Sequence, residues 1–139
     1  MTKIVLISCA SKKLNHCSKA KDLYISPLFQ KNMHYANSLN PDKIFILSAR
    51  YGLLRPNKEI LPYNKTLNRM GSGEIRKWAF SVLEQLKKEA NLESDEFIFL
   101  AGEKYRRFLL PSIKHYKTPM HGLGIGKQLK WLSERIKDE

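Results

Sequence analysis

The six residues Lys3-Ile4-Val5-Leu6-Ile7-Ser8 set an unbroken aliphatic run between polar ends, and the pattern returns at Lys43-Ile44-Phe45-Ile46-Leu47-Ser48 and Glu96-Phe97-Ile98-Phe99-Leu100-Ala101. An apolar run of that length without alternation marks a strand covered on both faces. Helical patterns lie between the runs. Ser26-Pro27 is an N-cap followed by proline at the first helical position, which predicts a helix over 26–39 that Asn40-Pro41 stops. Ile75, Trp78, Ala79, Val82, Leu83 and Leu86 recur at helical spacing, with Ser72 as cap, Glu74 in the first turn and Lys87 and Lys88 near the end. Shorter helices are expected over 103–109 and 125–136, with a brief strand around 115–118; Trp78 and Trp131 read as core. Strands alternating with helices require right-handed crossovers, so the expected fold is α/β, a three-layer α/β/α arrangement with a mostly parallel sheet of about four strands. The 139 residues suit a single domain over 1–139.

Charge points to a polyanion. Residues 1–69 carry 12 Lys and Arg against 3 Asp and Glu, a net of +9, whereas residues 70–139 carry 13 against 10, a net of +3. A face with so few counter-charges suits nucleic acid better than an acidic membrane, because no basic amphipathic helix accompanies it. No apolar stretch approaches a membrane span or a secretory leader, so a cytoplasmic protein is expected, with Cys9 and Cys17 as thiols. Cys9, His16, Cys17 and His34 lack metal-ligand spacing, and neither a metal nor a cofactor is expected.

In parallel sheets ligands bind beyond the carboxyl ends of the strands. Here those ends read Ser8-Cys9-Ala10-Ser11-Lys12-Lys13, Ser48-Ala49-Arg50-Tyr51-Gly52 and Ala101-Gly102-Glu103-Lys104-Tyr105. Small residues allow close approach, hydroxyls and main-chain N–H groups donate, and cations compensate charge. Ser8, Ser11, Lys12, Ser48, Arg50 and Gly102 are therefore expected to bind a phosphate or a polar base, although small residues equally make tight turns. Tyr24, Tyr51, Tyr63 and Tyr105 fall in the adjoining loops among cations, which suits stacking on a base. His121-Gly122-Leu123-Gly124-Ile125-Gly126-Lys127 is neither a P-loop nor a dinucleotide fingerprint; it is a glycine hinge or a phosphate contact through Gly124 and Lys127. Cys9 is a nucleophile candidate beside Lys12 and Lys13. Of the first-half carboxylates, Asp42 is expected to be solvated in a turn, leaving Asp22 and Glu59 as general bases or as partners in local salt bridges.

These segments form a larger pattern: Cys9-x3-Lys13, Asp22-Leu23-Tyr24-x-Ser26-Pro27-Leu28-Phe29, Leu47-Ser48-Ala49-x-x-Gly52-Leu53-Leu54, Pro62-Tyr63-x-x-Thr66-Leu67, Leu100-Ala101-Gly102-x-x-Tyr105 and Gly122-Leu123-Gly124-Ile125-Gly126. Over nearly the whole chain it resembles a family of small uncharacterised bacterial and phage domains that look like a reduced version of the YaaA-type peroxide-stress proteins. The resemblance implies a DNA-binding, stress-associated protein with a core similar to the uracil-DNA glycosylase superfamily, and it adds Ser26 and Thr66 to the binding set. It also brings in enzymes that modify deazaguanine bases, among them archaeosine synthase, whose Pro-Cys-Ser-x-x-Lys stretch is similar to Ser8-Cys9-Ala10-x-x-Lys13 and implies a lysine nucleophile at Lys13.

A glycosylase needs a carboxylate or amide at the sugar and a ring stacked on the extruded base. Asp22 is the candidate for the first part and Tyr24 or Tyr51 for the second, so the catalytic set is Asp22, Lys13 and Cys9. The leading expectation is a nucleic-acid-binding domain of glycosylase-like architecture that excises or modifies a damaged or hypermodified base, with DNA favoured over RNA. The alternatives are an enzyme on free nucleotides or nucleosides and a non-catalytic DNA-binding accessory protein of stress or defence. The sequence gives no oligomeric state.

Overall fold

The computed structural model describes residues 2–136. Each long apolar run becomes a strand: β1 (Lys3–Ser8), β3 (Lys43–Ser48) and β6 (Glu96–Leu100). With β4 (Gly52–Leu54) and β7 (His115–Lys117) they form one sheet of order β4-β3-β1-β6-β7. β1 is central, parallel to β3 on one side and to β6 on the other, and β7 continues the parallel set. Alternate residues of β1 feed opposite cores. Ile4 and Leu6 pack with Ile75, Ala79, Val82 and Leu86 of α3 (Ser72–Lys87). Val5 and Ile7 pack with Phe29 and Ala36 of α2 (Pro27–Ser38) and with Leu132 of α5 (Ile125–Ile136). Both faces of the sheet are thereby apolar, which is why these strands show no polar alternation.

Local chemistry sets the ends of the helices. Ser26 Oγ accepts from Phe29 N at 3.2 Å and Pro27 opens α2. Asn40, at φ 50°, ends the turn after α2. Asp42 is more than a solvated turn residue: its Oδ2 accepts from Lys3 N at 2.7 Å while its own N–H donates to Lys3 O at 2.8 Å, tying the start of β1 to the β3 approach. Ser72 is the first residue of α3, with Gly71 at the N-cap.

The sheet has five strands where about four were expected, because a short edge strand was not anticipated. Gly52, at φ 74°, reverses the chain so that β4 pairs antiparallel with β3 in the register Ile46↔Leu54, Leu47↔Leu53, Ser48↔Gly52. A Cβ on Gly52 would run into the Gln85 side chain of α3, whose Oε1 accepts from Leu53 N at 2.9 Å. A second small ribbon, β2 (Ser18–Lys19) with β5 (Glu59–Ile60), pins the two long loops together. The helix expected over 103–109 is shorter: α4 covers Glu103–Arg106 and the chain tightens into a 3-10 turn at Leu110–Ser112, where Pro111 cannot extend an α-helical ladder. The remaining helical pieces are α1 (Ala20–Leu23) and a 3-10 turn at Leu67–Arg69. No helix among the described residues is long and apolar enough to cross a membrane.

Candidate functional site

The loop leaving β1 is held in place by the segment around Tyr24. Leu14 N donates to Leu23 O at 2.9 Å, Ile25 N to Lys12 O at 3.0 Å, and Lys13 bridges Tyr24 in antiparallel fashion. Beside this ladder Tyr24 Oη and Tyr63 Oη lie 2.7 Å apart, and Tyr63 Oη is 2.8 Å from Ser48 Oγ. Ser48 is fully buried at the end of β3, where its Oγ accepts from Arg50 N at 3.2 Å and Tyr51 N at 3.0 Å, and its carbonyl accepts from Trp78 Nε1 at 2.8 Å. Lys13 Nζ lies 4.4 Å from the Tyr63 ring centroid and donates to Ser11 O at 3.2 Å. Burial pushes the Tyr24 phenol up to about 12, offset in part by its bond to Tyr63, and raises Tyr63 and Tyr105 as well. Burial also holds the Lys13 ammonium below the usual lysine range, with Cys9 working against it.

This arrangement changes the part the tyrosines play. Tyr24 is 1% exposed and edge-on to Tyr63, and Tyr63 is edge-on to Tyr51 with Lys13 over its ring. Tyr24 and Tyr63 form a hydrogen-bonded wedge in which the Tyr24 ring has no open face for a base, while Tyr51 is half-buried with its hydroxyl donating to Leu61 O at 3.2 Å. The Tyr24 and Tyr63 phenols and Ser48 satisfy one another in a place too apolar to leave them unpaired. Tyr105 is likewise buried, edge-on to Trp78, with its hydroxyl near Cys9 Sγ at 3.5 Å and accepting from Leu67 N at 3.4 Å.

A cleft of about 550 Å³ opens where the carboxyl ends of β1 and β6 meet the first turns of α2 and α5. Ser8, Cys9, Ser11, Ser26, Gly102 and Tyr105 from the expected set line it, joined by Leu28, Leu100, Leu129, Lys104 and Gln128. Asn32 also lines it and is 3% exposed. Its Oδ1 is the single buried side-chain nitrogen or oxygen without a hydrogen-bond partner among the described residues. Asn32 stands one turn from Phe29 and one turn from Ala36 on the buried stripe of α2. Sequence reasoning missed it; a lone amide at a core position of an otherwise apolar stripe was the available signal.

The other expected residues are elsewhere. Asp22 is exposed on α1 and Glu59 is exposed in β5, and neither lines the cleft. Lys12 is exposed and Lys13 is turned onto Tyr63. Thr66 Oγ1 caps the 3-10 turn by accepting from Asn68 N at 3.2 Å. Arg50 and Tyr51 border a separate open groove with Lys65, Lys77 and Trp78. Gly124 and Lys127 are exposed around the start of α5, outside the cleft lining. Across the Ala101 to Glu103 segment lies a second cavity of about 390 Å³, bordered by Arg106 and His121. Cys9 and Cys17 are free thiols, the first half-buried and the second exposed.

Residues 4–134 match the model of a family described as a family of unknown function, DUF6884, in keeping with the expectation of an uncharacterised domain. No curated protein and no solved structure matches the chain.

Proposed function

The chain belongs to the DUF6884 family, and we propose for it a nucleic-acid-binding role in which one unpaired base enters the cleft between β1, β6 and α2. The observation that carries this reading is Asn32 Oδ1, buried on the cleft wall without a partner. A buried acceptor left unmade costs about 1–3 kcal/mol, and a side-chain amide is the group that pairs with the donor edge of a base. Leu28, Leu100 and Leu129 give the faces of a planar ring an apolar wall. The basic first half supplies phosphate contact along the rim, through cations such as Lys12 and Arg50 that follow strand ends.

The reading takes the fold as three-layered, with α2 and α5 over one face of the sheet and α3 over the other. The resemblance of the sequence motifs to YaaA-type proteins, which implies a glycosylase-like core, motivates DNA over RNA and a stress-associated, cytoplasmic setting. Excision or modification of the bound base is the catalytic extension, for which Cys9 is the candidate on the cleft wall; Lys13 and Asp22 lie behind and outside it. A free-base release assay on damaged or hypermodified DNA, run on Cys9→Ala, Lys13→Ala and Asp22→Asn, separates these roles.

Single-stranded oligonucleotides carrying 2-aminopurine test the binding reading. Affinity should fall as salt rises, and fluorescence should increase when the unstacked base is taken up. Asn32→Leu should lose the fluorescence rise while keeping most of the salt-dependent affinity, and should gain about 1 kcal/mol of stability as the orphan acceptor is removed. Binding insensitive to salt overturns the polymer reading, and a fluorescence rise unchanged in Asn32→Leu overturns the pocket assignment. Stabilisation by mononucleotides with no oligonucleotide binding transfers the cleft to free nucleotides or nucleosides.

A further inference from the structure

Arg106 is the one charged side chain that is buried among the described residues, at 9% exposure. Its Nη1 donates to Ala101 O at 2.6 Å and its Nη2 lies 3.0 Å from His121 Nδ1. A guanidinium only donates, so Nη2 is the donor and His121 Nδ1 the acceptor in this contact, with Nε2 left as the ring's own donor. Neither partner of the buried cation is a carboxylate. The ion pairs of the described residues join Arg55 to Glu89, Lys87 to Glu84 and Lys117 to Glu96, and Arg106 is in none of them. A buried charge ordinarily has a counter-charge at hand.

What adjoins Arg106 instead is the cavity of about 390 Å³, whose wall also presents His121, Thr118, Gly102 and Gln128. The loop that closes it is built by two successive turns, His121 N to Thr118 O at 3.0 Å and Leu123 N to Met120 O at 3.1 Å, with Gly122 at φ 82°. The left-handed conformation there favours glycine, and the turn it permits keeps His121 against Arg106. A guanidinium, an imidazole and a hydroxyl on one concave wall form a donor set for a tetrahedral oxyanion. Glu103 also borders the cavity, exposed at its mouth, and its carboxylate opposes an anion there.

We infer that the Arg106–His121 cavity is a phosphate-binding site, separate from the base cleft and sharing with it the Ala101 to Glu103 wall and Gln128. The ligand chemistry is a phosphate monoester, supplied either by a strand terminus or by a free nucleotide. Thermal unfolding is followed with inorganic phosphate against chloride at matched ionic strength, then with a nucleoside 5′-monophosphate, and with one oligonucleotide bearing either a 5′-phosphate or a 5′-hydroxyl. Phosphate should stabilise the protein beyond chloride. Glu103→Gln should tighten phosphate binding, and His121→Ala, at an exposed position, should weaken it about 10-fold or more. Arg106→Lys keeps the charge but not the fork and should weaken it at least as much. Preference for the 5′-phosphorylated strand assigns the source to a terminus, and preference for the mononucleotide assigns it to a free nucleotide. Stabilisation no greater than that of chloride, or of equal size in His121→Ala and the parent, overturns the site. Asn32→Leu should leave the phosphate effect intact, so failure of the base cleft and failure of this site are read separately.

Discussion

Tyr63 joins three elements through one hydroxyl, bonded to Ser48 at the end of β3 and to Tyr24 beside the β1 loop. Tyr63→Phe removes both bonds and leaves two buried hydroxyls short of a partner, so urea unfolding should show a loss of about 1–3 kcal/mol. The wedge also predicts a pH dependence. Burial raises the Tyr24 phenol from 10.0 to about 12, so the folded state holds its proton more tightly than the unfolded state does. The stability this contributes is complete below pH 10 and is lost as pH rises toward 12. Stability measured between pH 9 and 12 should fall less steeply in Tyr24→Phe than in the parent. The sequence placed these tyrosines correctly beside the strand ends but could not show that they face one another, because their pairing spans 39 residues. Asn32 showed in the sequence only as a lone amide in an apolar stripe, whose meaning depends on the cleft beside it, and Arg106 sits in the charged run Glu103-Lys104-Tyr105-Arg106-Arg107, where nothing local marks one cation as buried.

At the level of elements, legibility followed burial. β1, β3 and β6 announce themselves because both of their faces meet a core. α2, α3 and α5 do so because one stripe does. β2 and β5, each of two residues, and β4, of three, are too short to carry a period and exist through tertiary pairing. β4 rests on the Gly52 turn and on Gln85 of α3, so its stability is a property of two distant elements. Gly52→Ala should cost about 1–2 kcal/mol from the left-handed conformation alone, and more because Gln85 must give up its bond to Leu53 N. In a Gln85→Ala background that second part disappears. A double-mutant cycle in urea should therefore show Gly52→Ala costing less without Gln85 than with it, and strictly additive costs would refute the coupling.

For the whole molecule the question is whether the net charge acts as a diffuse field or at one rim. Lys12 follows β1, Arg50 follows β3 and Lys104 follows β6, so the three cations stand at the carboxyl ends of three parallel strands. Lys43 begins β3, Lys114 immediately precedes β7 and Lys88 follows α3, which places an equal charge toward the opposite end of the sheet. Substituting either set with glutamine changes the net charge by the same amount, so long-range attraction falls equally in both. Phosphate contact differs from that attraction because each neutralised phosphate releases counterions and adds about 0.9 to the slope of log affinity against log salt on duplex DNA, and about 0.7 on a single strand. Lys12→Gln, Arg50→Gln and Lys104→Gln combined should therefore lower the slope by about 2 on single-stranded DNA, while the Lys43, Lys88 and Lys114 set leaves it close to the parent value. Equal slopes for the two triple variants would mean that the charge serves as a field, and the carboxyl-end rim would lose its claim to the strand.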